Sequence, residues 1–356
     1  MTDFLNEGAF NLLVNCAEAK AEETLLLICE DHSLGWYDKK IVAAIEKCAR
    51  QLGLTVSRLD VGPPDNQGIT ASENVVAAYD ITLFLSRIGD QERFSKPPNG
   101  SRAVMSYARE AKQLASAYGR THHHAFVDLK TAVDQLLLNS SNIRITCPLG
   151  TDISGRVSFE KHNSYNDVSV QRFPLGVPKP ILCDKFTGEI ALAHFLTPTG
   201  SKVYDPAAIP INSTVHAKVE QGRLVKLSGD SSTIKRIRAH HDYVGDLFNI
   251  DANVVHSFHA GIHPAASYQH IARDNPDRWS NSVFTNPRFL HFHTCGTNAP
   301  GEICWMVLDP TVSIDGDNLW EDGRLMVTRF DEIRTCLNKW PELMPLFEHP
   351  SNEIGL

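Results

Sequence analysis

The sequence predicts an α/β N-terminal domain with an open parallel sheet, residues 1–140, joined to a β-rich (α+β) C-terminal domain, residues 141–356. Three observations predict it. A chain of 356 residues exceeds one average domain. Its first third alternates short, continuously apolar runs with segments of helical periodicity, the pattern of βαβ units. From about Asn142 the texture changes to short alternating segments punctuated by Gly, Pro, Asn and Asp.

The elements follow in order. Thr24 to Cys29 is an apolar run suited to a strand buried on both faces. Asp38 to Leu52 carries Ile41, Ala44, Ile45 and Cys48 at helical spacing, with Gly53 as its stop. Thr55 to Val61 closes the βαβ unit, and Ile81 to Leu85 and Ala103 to Ser106 continue the sheet. Helices are expected at Tyr107 to Ala117 and Lys130 to Leu138. In the second half, strands are expected at Ile143–Thr146, Val157–Glu160, Val215–Val219, Leu224–Leu227, Phe289–Thr294, Ile303–Leu308 and Leu325–Thr328. Gln221-Gly222 and Asp315-Gly316 are hairpin-type turns, and a helix over Ser232 to Phe248 interrupts the strands.

Composition narrows the function. A hydrophobic fraction of 42% supports a full core, and a net charge of -8 without a basic patch argues against nucleic-acid binding. No run reaches the length of a membrane span, and Met1 to Gly8 lacks the charge and apolar pattern of a signal peptide. Cysteines 16, 29, 48, 147, 183, 295, 304 and 336 form no close pairs and read as reduced thiols. A cytoplasmic enzyme is the expectation. A dinucleotide cofactor has no support, because Glu30-Asp31-His32 stands where a Gly-rich turn would follow the first strand.

Histidine concentrates the chemistry. Eight of the 16 histidines lie between His240 and His293. His291 and His293 are two apart in a β-prone stretch, so both imidazoles share one face and can reach one ion. Glu302 follows a turn containing Gly296, Asn298, Pro300 and Gly301 that can return a carboxylate beside them. Two histidines and a carboxylate with open positions match the ligand set of non-haem Fe(II) oxygenases, and a hydrolytic zinc site can use the same types.

His256, His259 and His263 come just before, and Gly261 and Pro264 argue against a helix there. On a strand His256 and His259 face opposite ways; His259 is the preferred additional ligand, with His256 kept open. His263 either orients substrate or caps the turn before Pro264. Arg87, after the Ile81–Leu85 strand, is placed where open sheets present ligand-binding loops, and either binds a substrate anion or forms a surface ion pair. His122-His123-His124 reads as a solvated loop, and His240-His241-Asp242 as a surface feature near a helix end.

Several stretches together resemble the aminopeptidase T-type metallopeptidase superfamily, the 2,5-dihydroxypyridine 5,6-dioxygenase-like proteins being the closer match. They are Gly150-Thr151-Asp152, Phe173-Pro174-Leu175-Gly176 with Pro178, Gln221-Gly222-Arg223-Leu224-Val225, Gly261-Ile262-His263-Pro264, Asp309-Pro310-Thr311 and Ile314-Asp315-Gly316. The resemblance implies an N-terminal α/β domain, a C-terminal domain carrying a metal site, and a homo-oligomer. It also breaks at the ligands. Val177 and Ser257 stand where the peptidases have metal-binding glutamates, so a two-metal clamp lacks its bridging oxygens. The dioxygenase-like His and His-x-Asp fall on Ser257 and on Glu302 and Cys304. The expectation is a rearranged set drawn from His259, His291, His293 and Glu302, holding Fe(II) with Zn or Mn as alternatives. The enzyme would act on a small aromatic or heteroaromatic molecule with O₂; a metal-dependent hydrolase and a metal-free binding protein are the other readings.

Overall fold

A computed structural model describes residues 2–64, 76–91, 93–94, 96–97, 100–158, 168–201, 203–296 and 302–356. In chain order the strands are β1 Thr24–Glu30, β2 Thr55–Val61, β3 Ile81–Leu85, β4 Arg102–Ser106, β5 Asn142–Thr146, β6 Asp152–Arg156, β7 Gln171–Phe173 and β8 Ile181–Leu182. They continue with β9 Phe186–Pro198, β10 Ile209–Glu220, β11 Arg223–Ser228, β12 Val255–Ala260, β13 Phe289–Thr294, β14 Ile303–Leu308, β15 Thr311–Ile314, β16 Asp317–Glu321 and β17 Arg324–Leu325. Two compact units result. One comprises Met1–Val127, Asp167–Leu175 and Ala265–Ser267; the other comprises Asp128–Asn166, Gly176–Pro264 and Tyr268–Leu356.

The first unit is built on a parallel sheet of order β2-β1-β3-β4-β7. β1 and β3 are buried along nearly their whole length, as their unbroken apolar runs require, whereas β2 alternates toward solvent at the edge. The helix Lys39–Gln51 starts where Asp38 accepts a hydrogen bond from the Ile41 amide (2.7 Å) and buries Ile41, Ala44, Ile45 and Cys48. Asp31 in the acidic turn after β1 accepts from the Ser33 amide and caps the short 3₁₀ turn His32–Leu34. The single helix expected over Tyr107 to Ala117 is instead two short ones, Ala111–Leu114 and Ala117–Arg120. Gly119 explains part of this path: a Cβ there would meet the Leu114 carbonyl oxygen at 2.3 Å.

Antiparallel pairing dominates the second unit. Its described strands form one twelve-stranded sheet with the path β17-β16-β15-β5-β6-β9-β14-β13-β12-β8, and β10 adds to β9 and carries β11. β9 was not expected. Gly188 and the charged Glu189 break its pattern, yet Gly188 is needed there, because a Cβ would lie 2.3 Å from the Asp152 carbonyl oxygen. Of the expected strand Val157–Glu160, positions 159 and 160 lie outside the described residues, and the ladder is formed earlier, by Asp152–Arg156. No described helix is long and apolar enough to cross a membrane.

Two histidine groups sit differently from expectation. His123 begins the helix His123–Asn139, is buried, and lies 6.1 Å from the Phe173 ring, with burial pushing its imidazole down to about 4. His240 and His241 lie inside the helix Ser231–Phe248 and are both buried rather than on the surface. His241 Nε2 accepts from the Trp305 indole N–H (3.0 Å), while its Nδ1 lies 2.9 Å from the Ala252 carbonyl. One nitrogen accepts and the other donates, so the ring is neutral, and burial pushes it down to about 4. All eight cysteines are free thiols.

Candidate metal centre

The candidate centre is built by strand alternation on two neighbouring strands. In the β12–β13 ladder His259 pairs with His291 and Ser257 with His293, and residues directly opposite in an antiparallel pair share a face. The next ladder sets Met306 opposite His291 and Cys304 opposite His293. One face therefore carries Ser257, His259, His291, His293, Cys304 and Met306. The intervening Phe258, Phe292 and Trp305 point the other way into the core, where the Phe258 and Phe292 rings lie 5.8 Å apart. A one-residue slip of β13 would exchange the two sets, so this buried aromatic face fixes the register that brings the imidazoles together.

His259, His291 and His293 converge. Each offers a ligand nitrogen, and these atoms all lie within 4.8 Å of one another. The ring centres are 5.2 Å apart for His259–His291, 5.0 Å for His259–His293 and 4.9 Å for His291–His293. Metal–nitrogen bonds of about 2.0–2.1 Å put imidazole centres roughly 4.5–5.2 Å apart around a shared ion. The triangle matches that spacing, so the residues fit a mononuclear metal.

Surrounding groups hold the rings. His259 Nδ1 is 2.8 Å from the Pro178 carbonyl oxygen, which places the proton on Nδ1 and makes Nε2 the lone-pair nitrogen. Thr199 Oγ1 lies 3.4 Å from His293 Nδ1 and 3.3 Å from Cys304 Sγ. Phe284 stacks on His291 with ring centres 4.9 Å apart and planes at 24°. Phe284, Cys304 and Met306 belong to an apolar cluster with Trp279 and Phe289, which keeps water from one side of the centre.

The remaining expected site residues are not among the three converging imidazoles. Among the described residues the converging group contains no carboxylate, so Glu302 is not part of it. Its backbone amide bonds the Thr294 and Cys295 carbonyls and its own carbonyl accepts from the Thr199 amide and the Tyr204 hydroxyl, which anchors it just before β14. Its carboxylate acts on Cys295, whose thiol is pushed up to about 12 chiefly by burial and secondarily by Glu302. Of the turn invoked to bring Glu302 back, positions 297–301 lie outside the described residues. His256 faces away, its Nδ1 2.9 Å from Ser257 Oγ, and burial pushes it down to about 4.

His263 is fully buried and its amide donates to the Thr285 carbonyl (2.8 Å), in a turn where Gly261 is indispensable because a Cβ would lie 2.2 Å from the Asn286 carbonyl oxygen. It is outside the converging group. Arg87 is committed to Glu30, with Nη2–Oε1 at 2.6 Å and Nε–Oε1 at 2.9 Å, and stacks 4.2 Å from the centre of the Trp36 ring. A guanidinium so engaged forms an ion pair, the second of the two readings given for this residue.

No family model and no curated protein matches the chain. Solved structures do. Superposition on the dioxygenase from Pseudomonas putida KT2440 gives a TM-score of 0.62 at 13% identity, covering 92% of this chain and 98% of that one. The fold is similar to that of 2,5-dihydroxypyridine dioxygenase. Aminopeptidase T from Thermus thermophilus gives a TM-score of 0.49 at 11% identity, covering 91% of this chain and 99% of that one. The likeness to the dioxygenase fold therefore spans both units, as the scattered sequence stretches imply.

Proposed function

We propose that the chain is a mononuclear metal-dependent dioxygenase acting on a small aromatic or heteroaromatic substrate, with His259, His291 and His293 as the protein ligands. The observation that carries this reading is the triangle of imidazoles at 4.9–5.2 Å. The fold likeness to 2,5-dihydroxypyridine dioxygenase supports the substrate class. Three protein ligands on one side leave coordination positions for substrate and O₂. Fe(II), when bound there, supplies redox chemistry with O₂ and polarises a chelating substrate. The chain's own residues prepare the place. The Pro178 carbonyl fixes the proton of His259 on Nδ1 and leaves its Nε2 lone pair for a metal, and the Thr199 hydroxyl contacts the Nδ1 side of His293. Phe284 fixes the plane of His291 from its far face. Met306 and Cys304, both buried, close that side of the centre with apolar and weakly polar surface.

One observation favours a second reading. Three imidazoles without a carboxylate depart from the two-histidine, one-carboxylate set of non-haem Fe(II) oxygenases and match a catalytic zinc centre, where bound water ionises near neutral pH. Oxygen dependence separates the two. Iron-loaded protein given 2,5-dihydroxypyridine under air, and again anaerobically, is expected to consume substrate and O₂ together and to stop without O₂. Turnover of an amide substrate that continues anaerobically with zinc, and no O₂ uptake with iron, contradicts the dioxygenase reading.

A further inference from the structure

The strand order β2-β1-β3-β4-β7 means that the chain leaves β1 toward one edge and then lays β3 on the other side of it. The carboxyl ends of β1 and β3 thus flank a topological switch point, the place where open α/β sheets take ligands. Glu30 ends β1 and Trp36 follows it; Ser86, Arg87 and Asp90 follow β3; Arg109 follows β4. Glu30 and Arg87 neutralise each other. Among the described residues Arg109 has no such partner. It is fully buried, its guanidinium carbon lies 4.7 Å from the Trp36 ring centre and 5.3 Å from that of Tyr37, and among the described residues none of its side-chain nitrogens has a hydrogen-bond partner.

Ring faces return far less than a buried guanidinium loses when no acceptor meets it. Two neighbouring groups are in the same condition. The Ser86 hydroxyl and Asp90 Oδ2 are buried and, among the described residues, lack partners, although Asp90 Oδ1 accepts from the Tyr107 hydroxyl at 2.6 Å. Unmet donors on Arg109 and an unmet acceptor on Asp90 at one end of one sheet describe the negative image of a ligand.

We propose that the carboxyl edge of the parallel sheet binds a small hydroxy acid, its carboxylate in the fork of Arg109 and its hydroxyl toward Asp90 and Ser86. The charges select the class. Among the described residues Arg109 is the one cation of this cluster whose side chain has no ion-pair or hydrogen-bond partner, so a monoanion neutralises it, whereas a phosphate dianion would also meet the carboxylates of Asp90 and Glu30. A phosphate is disfavoured further by the acidic turn Glu30-Asp31-His32 in place of glycines after β1. The closure of Arg109 from solvent limits the occupant's size. The inference uses the N-terminal unit alone and is independent of the metal centre.

The test is thermal denaturation of the full chain with glycolate, acetate, phosphate or chloride at constant ionic strength. Glycolate is expected to raise the melting temperature saturably, acetate more weakly, and the two inorganic anions not at all. Arg109→Lys should weaken glycolate at least tenfold, since an ammonium cannot form the fork. Arg109→Met should melt higher than the wild type without acid and show no glycolate shift. The shift should persist in His259→Ala, which separates this site from carboxylates bound at a metal. A wild type unaffected by glycolate overturns the proposal whatever the variants do. So does a shift reproduced by chloride or phosphate, or one undiminished in Arg109→Lys.

Discussion

Replacing Thr199 with Val tests how the centre is held. The substitution keeps the branched shape and removes one hydroxyl, which is 2% exposed and lies 3.4 Å from His293 Nδ1. In the tautomer with the proton on Nδ1, that hydroxyl accepts it and the lone pair stays on Nε2; Cys304 Sγ lies farther from the same nitrogen, at 3.7 Å. The hydroxyl distance is longer than the usual N–H···O value of about 2.9–3.0 Å, so the bond is individually weak. Its burial makes it count, because no water can replace it. Loss of such a partner of a metal-bound imidazole costs about 10–100-fold in metal affinity, or about 1.4–2.7 kcal/mol. Folding stability should change less, by about 0.5–1.5 kcal/mol, the net worth of one hydrogen bond. Competition with a fluorescent chelator measures the affinity of wild type, Thr199→Val and Thr199→Ser for Zn²⁺ or Fe²⁺, and urea unfolding measures stability. The serine variant should recover most of the affinity. Wild-type affinity in Thr199→Val, alongside complete metal loss in His259→Ala, would refute the reasoning that Thr199 sets the His293 tautomer.

Other predictions follow from the same geometry. Glu302→Gln should leave metal affinity within about twofold, whereas His291→Ala should abolish stoichiometric binding, both read by metal analysis after gel filtration. Phe292→Ala, in the fully buried face behind the imidazoles, should cost about 3–5 kcal/mol in urea unfolding. His123, His240 and His241 each ionise near 4 when folded and near 6.5 when unfolded. Between those values the unfolded chain binds more protons, so stability should fall as pH drops from 6.5 toward 4, by up to about 1.4 kcal/mol per pH unit per histidine. In His241→Gln, which keeps a donor and an acceptor, that pH dependence should flatten by about one proton.

The parallel sheet was readable because β1 and β3 are buried on both faces and therefore apolar throughout. The shared face of His291 and His293 was equally readable, since alternation along a strand needs no tertiary information. What joined His259 to them was not local. It depends on the ladder register that sets His259 against His291, fixed by Phe258 and Phe292 on the reverse face. Glu302 was named from residue type and nearness in sequence; its backbone bonds to Thr294 and Cys295 anchor it before β14, and among the described residues the converging group consists of the three imidazoles. Arg87 and Arg109 show the same limit. Both follow strands of one sheet, but only the folded chain reveals that Glu30 neutralises Arg87 and that, among the described residues, the Arg109 side chain meets no acceptor.

Anomalous X-ray scattering recorded at the iron, manganese and zinc edges, from crystals grown without chelator, bears most directly on the three-imidazole centre. One metal peak is expected about 2.0–2.2 Å from a nitrogen each of His259, His291 and His293, with no protein carboxylate bound. Absence of a peak between these rings at all three edges, or a metal held by Glu302 instead, would contradict it.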